Sequence, residues 1–259
     1  MTITLAALED FLARELALNV WPFFRIAGVL MVAPVIGARL VPVRVRVALA
    51  VGVTLVVAPL APVQAPFAPS LLTGLLVIQE VLLGAAIGFC LQMVFDALII
   101  AAETIAMGMG LGFATMVDPQ RGVSVPVLGQ FFVILGTLVF LSLGGHLAAL
   151  RLLATSFEAA PIGTPFAAAG IWSLVAFASE MFAGAVRIAL PAITALLVVN
   201  LALGVTSRAA PSLNLFAVGL PLGMLLGFLI VLLNIENLAA LTTELLESAF
   251  GAVGRIVAA

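Results

Sequence analysis

Residues 71–117 read LLTGLLVIQEVLLGAAIGFCLQMVFDALIIAAETIAMGMGLGFATMV, with Glu80, Asp96 and Glu103 as the only charges. Roughly 20 apolar residues cross the hydrocarbon core of a bilayer as a helix, so this run is ample for one long or broken spanning element. Its length, its Leu and Ala content and the lack of period-two alternation predict helix rather than strand. A backbone in lipid must also satisfy its own hydrogen bonds, which helices do within one segment.

Comparable stretches lie to either side, at 16–36, 45–62, 125–150, 171–204 and 212–235. With the first run they make about six hydrophobic helices. Proline marks the breaks: Pro59, Pro62, Pro66 and Pro69 in one connection, Asp118-Pro119 in another, then Pro161 and Pro165, then Pro211. The expectation is an all-α membrane protein forming a single helical domain over 1–259.

Composition agrees. Of 259 residues, 64% are hydrophobic and 8% charged, and mean hydropathy is +1.36. A soluble domain is roughly 45–50% apolar and roughly 25% charged. So few charges cannot cover a water-soluble surface, which excludes a soluble enzyme and a disordered tail. A net charge of −2 offers no basic surface for nucleic acid. Cys90 stands alone, so neither an internal disulfide nor a cysteine zinc site can form. Met1–Val20 carries Glu9, Asp10, Arg14 and Glu15, unlike a secretory signal, and the first helix is expected to persist in the mature chain. Arg39, Arg44 and Arg46 in the first connection put the odd-numbered connections on the cytoplasmic side under the positive-inside rule.

The stretches carry unusual interiors. Pro22, Pro34, Pro191 and Pro221 would each remove a backbone donor and kink a helix. Arg25, Glu80, Asp96, Glu103, Glu180 and Arg187 are ionisable groups in apolar surroundings, costly to expose to lipid, and read as helix-pairing or subunit-pairing charges. Asp96 and Glu103, seven residues apart, share a helix face, as do Glu180 and Arg187; Glu80 is on a different face from the first pair. Gly84 and Gly88 form one GxxxG, and Gly219, Gly223 and Gly227 repeat at the same spacing, both predicting close helix packing. His146 reads as a hydrogen-bonded packing residue. Trp21 and Trp172, near segment starts, suit an interfacial belt or a partner contact.

The most distinctive segment is Met107-Gly108-Met109-Gly110-Leu111-Gly112-Phe113-Ala114-Thr115-Met116-Val117-Asp118-Pro119. Three alternate glycines weaken helix by roughly 1 kcal/mol each relative to Ala, yet the segment is as apolar as a span. Such a chain must sit in protein or line a cavity. It reads either as a movable apolar constriction that closes a pathway by expelling water or as a kinked helix in the core. It is not a phosphate loop, since no Lys-Ser/Thr follows the glycines.

The run Gly112-Phe113-Ala114-Thr115-Met116-Val117-Asp118-Pro119, followed by Gly144-Gly145-His146-Leu147 and Pro161-Ile162-Gly163, resembles the FliR family of flagellar export-gate proteins, with the injectisome SctT proteins as close relatives. The Phe-Ala-Thr-x-Val-Asp-Pro run is its most specific part and favours the flagellar branch. The resemblance implies a core subunit of the type III secretion export gate in the bacterial inner membrane, at the flagellar basal body. Partners would be the FliP, FliQ, FlhB and FlhA families, with unfolded export substrates passing through. It implies a FliP-like part over 1–204 and a FliQ-like terminal hairpin over 205–259, built of kinked hairpins whose helices do not all span the bilayer. It assigns a gate or plug role to Gly108, Gly110, Gly112, Phe113, Met116, Val117, Asp118 and Pro119. No cofactor, metal or catalytic residue is expected: neither a His-Glu-x-x-His nor a paired catalytic Asp motif occurs. The competing reading is a secondary transporter with broken helices around a midplane site, motivated by the intramembrane charges.

Overall fold

The computed structural model describes residues 5–38, 41–61, 70–111, 127–209 and 215–259, with backbone alone for 5–16 and 215–218. Among the described residues there are eight α-helices and no strand: α1 Leu5–Val32, α2 Val43–Val57, α3 Leu71–Gly108, α4 Val127–Ser142, α5 Gly145–Ala159, α6 Ala168–Ala209, α7 Leu215–Leu233 and α8 Ile235–Ala258. This is the all-α membrane fold that the apolar stretches predict.

Local chemistry sets most boundaries. Helix α1 contains Pro22 but stops two residues before Pro34, whose ring drives the preceding residue away from helical geometry. Helix α2 follows Pro42 directly and ends in a 3-10 turn, Ala58–Leu60. Ser70 caps α3: its Oγ accepts the Thr73 backbone N–H at 3.1 Å. Pro191 and Pro221 lie within α6 and α7.

One boundary differs from the sequence reading. The stretch at 125–150 is not one helix; it breaks at Gly144, whose φ of +67° separates α4 from α5. The terminal helix α8, with Leu238, Leu241, Leu245 and Phe250 along one stripe, is set at 59° to α7. At that bend Asn234 Nδ2 donates to the Ile230 carbonyl at 2.8 Å. Among the described residues, three helices (Val43–Leu60 with its 3-10 turn, α3 and α6) are long and apolar enough to cross a membrane, or up to five spans if each bent pair counts as one. This agrees with the expectation of hydrophobic helices that do not all span the bilayer. Helices α3 and α6 have 38 and 42 residues, about 57 and 63 Å at 1.5 Å per residue, well beyond a core of about 30 Å.

The residues group into two compact units, Met1–Met93 with Gly144–Ala178 and Leu246–Ala259, and Val94–Leu143 with Ser179–Leu245. The first is built around Trp21, Ile26, Ile87, Leu91, Leu153 and Phe157, all buried. Trp21 is thus a core residue rather than part of an interfacial belt, while Trp172 is exposed. Cys90 is fully buried in this unit, its Sγ donating to the Ala249 carbonyl at 3.7 Å. His146 is exposed, so the packing role expected of it does not hold. The second unit buries Leu98, Ile105, Met109, Phe132 and Leu196, with Phe95 and Phe140 edge to face at 6.1 Å.

Candidate functional site

Two constellations hold the chemistry-bearing residues. In the first unit, α1 and α3 approach backbone to backbone. A Cβ on Gly28 would lie 2.5 Å from the Val81 carbonyl oxygen, one on Gly88 would lie 2.6 Å from that of Val29, and one on Gly84 would collide with the Arg25 carbonyl oxygen. Small residues on both helices make this approach possible. One turn before Gly84, at Glu80, the same face of α3 meets the Arg25 side chain.

Arg25 and Glu80 are both about 1% exposed, and Nε donates to Glu80 Oε2 at 2.7 Å. The rest of the guanidinium is also engaged. Nη1 donates to the Ser156 carbonyl at 2.8 Å and reaches Ser156 Oγ at 3.3 Å, and Nη2 donates to the Ala160 carbonyl at 2.8 Å. The Phe157 ring lies beneath, its centroid 4.3 Å from Cζ. A buried charge persists only when paired and hydrogen-bonded. Here the cation also closes the C-terminal end of α5, adding a second donor to the Ser156 carbonyl, which already accepts the Ala160 N–H, and bonding the Ala160 carbonyl, where the negative end of the helix dipole favours it. Helices α1, α3 and α5 are thereby tied at one point.

The second constellation is the end of α3. The Met109 N–H bonds the Ile105 carbonyl, the Gly110 N–H the Met107 carbonyl and the Leu111 N–H the Ala106 carbonyl, each at 3.0 Å. Gly110 has φ +82°, which an L side chain adopts at a cost. This is the Schellman pattern that stops a helix. Of the three alternate glycines, Gly108 still belongs to the helix, its carbonyl accepting Asn200 Nδ2 at 3.2 Å. Met109 is about 1% exposed and lies against Gly227, with its carbonyl oxygen 3.7 Å from where a Gly223 Cβ would be. Gly223 and Gly227 of the α7 glycine row thus face the methionine of the α3 terminus, and Gly219 of the same row is buried. Met107 points outward, largely exposed.

Gly112, Phe113, Met116, Val117, Asp118 and Pro119 lie outside the described residues. Asp96 and Glu103 are half-buried on α3 in the second unit; Glu180 and Arg187 are exposed on α6. Reading the sequence missed Ser156, Phe157, Leu196 and Asn200. None stands in a pattern that singles it out, since three of them act through a carbonyl, a ring face or a methyl group.

The family described as bacterial export proteins, family 1, matches residues 16–249. The chain is similar to the flagellar biosynthetic protein FliR of Escherichia coli (strain K12), at 35% identity over 243 residues, 93% of each chain. It is similar to that of Aquifex aeolicus (strain VF5), at 37% over 236 residues, covering 88% of this chain and 87% of the relative. It is also similar to that of Bacillus subtilis (strain 168), at 30% over 247 residues, covering 90% and 94%.

Proposed function

This chain belongs to the FliR family of bacterial export proteins, a membrane-embedded component of the flagellar export apparatus, and from that premise we propose that it is a non-enzymatic gating subunit of a protein-conducting channel. The channel is shared with FliP and FliQ proteins in the bacterial inner membrane, next to FlhB and FlhA proteins, and unfolded flagellar substrates pass through it. Residues 1–204 act as the FliP-like part and 205–259 as the FliQ-like hairpin. The segment Gly108 to Pro119 serves as an apolar plug: Gly108 and Gly110 end the helix that carries it, Phe113, Met116 and Val117 supply water-excluding bulk, and Asp118-Pro119 shapes its far end.

The observation that supports this reading is the end of α3. A membrane-length helix stops at a left-handed Gly110, with Met109 anchored, immediately before an apolar run that breaks helical propensity at Gly112. A helix that stops beside an anchored methionine, ahead of an apolar sequence rich in glycine, suits the stem of a stopper that must yield to a passing polypeptide.

Replacing Phe113 and Met116 by Gly in the assembled export gate tests it. Small-ion conductance across the membrane rises when the plug is thinned. An unchanged conductance in a complex of normal composition overturns the plug role.

A further inference from the structure

We propose that the outward face of α6 around Glu180 and Arg187 is the docking surface for a membrane helix of a different chain, one with a basic side chain level with Glu180 and an acidic one level with Arg187. This rests on the reading of the protein as one subunit of a larger membrane assembly.

Helix α6 has two faces in the second unit. Met181, Ala185, Ile188 and Ala189 are buried, and Gly184 meets Leu245, with a Cβ there only 2.5 Å from Leu245 Cδ2. The opposite face exposes Glu180, Ala183 and Arg187, together with Phe182, Val186 and Leu190, each more than half exposed. Neither Glu180 nor Arg187 has a hydrogen bond or ion pair with any described residue. Seven residues bring the two charges onto one face, about 10.5 Å apart along the axis.

Neither solvent suits this face. In hydrocarbon the carboxylate and the guanidinium are stranded. In water Phe182, Val186 and Leu190 form a contiguous apolar strip. A protein helix with matched charges satisfies both sets of groups, and the small Ala183 midway between the charges lets it come close.

The charge order also selects which chain. Copies of one chain enter a membrane in one orientation, so two copies joined through this face relate by a two-fold axis along the membrane normal, with parallel helices. That sets Glu180 against Glu180 and Arg187 against Arg187. A second copy is therefore repelled, and the occupant is a different protein whose order is basic then acidic if parallel to α6, or acidic then basic if antiparallel.

The test uses the complete membrane complex. A photoreactive phenylalanine analogue at Ala183 is cross-linked in membranes and the adduct mapped by mass spectrometry. The expected adduct is on a membrane helix of another subunit carrying opposite charges about seven residues apart, in the order given. Arg187→Glu then lowers co-purification of that subunit at least tenfold, and reversing the partner's acidic residue restores it. Glu180→Gln with Arg187→Gln, checked for an unchanged thermal midpoint, lowers it as well. Adducts to lipid alone or to a second copy, or a neutral variant that holds its partner as tightly as the parent, overturn the proposal. If those results come from a chain that still co-purifies with other export subunits, only the docking face falls; a chain that co-purifies with none overturns the proposed function too.

Discussion

Arg25 and Glu80 are 55 residues apart in sequence and 2.7 Å apart in the fold, both almost wholly buried. Removing one member of such a pair strands the other and costs about 3–5 kcal/mol. Arg25→Met and Glu80→Gln are each expected to lower the thermal midpoint of the detergent-purified protein sharply. Arg25→Met combined with Glu80→Met recovers part of the loss, since an apolar pair strands no charge. Recovery stays incomplete because the Ala160 carbonyl loses its Arg25 donor and the Ser156 carbonyl keeps only the Ala160 N–H. A double variant less stable than both single ones would refute this assignment.

Gly84 and Gly74 lie on the same helix in opposite circumstances. A Cβ at Gly84 meets backbone of α1, whereas one at Gly74 meets nothing within 4 Å. Gly84→Ala is expected to destabilise by about 1–3 kcal/mol through overpacking. Gly74→Ala gains up to about 1 kcal/mol of helix propensity. Thermal denaturation of the two variants side by side checks the sign of each.

Gly110 and Gly108 differ in the same manner at the other end of α3. Gly110→Ala forces an L side chain into left-handed geometry, costing about 1–2 kcal/mol, and favours continuation of the helix into the segment beyond. Gly108→Ala meets only the flexible end of Leu196, at 3.3 Å, and is expected within about 1 kcal/mol of the parent. If the plug reading holds, Gly110→Ala alone alters conductance and secretion in the assembled gate. Equal effects at the two positions would argue against a specific stop at Gly110.

The helices were legible wherever apolar length and proline speak together, as at α2, α3 and α6, because lipid-compatible helix is written in composition and run length. The break at Gly144 was not, since a single left-handed glycine interrupts no apolar pattern and Leu143 and Leu147 continue the stretch on either side. The ion pair was legible only as a set of unlikely charges. Spacing along one helix groups Asp96 with Glu103 and Glu180 with Arg187; it carries no information on which helix comes opposite, and so could not join Arg25 to Glu80. The glycine run at 107–112 and the one at 219–227 were each visible, yet their meeting at Met109 depends on α7 coming alongside the end of α3, which neither run announces.

Cys90, enclosed beside Ala249 and alone of its kind in the sequence, leaves the native protein silent toward maleimides and spin labels. A thiol introduced anywhere on the outside becomes the sole reporter, with no native sulfur to remove first. The chain is therefore ready-made for distance and accessibility measurements with a single introduced label.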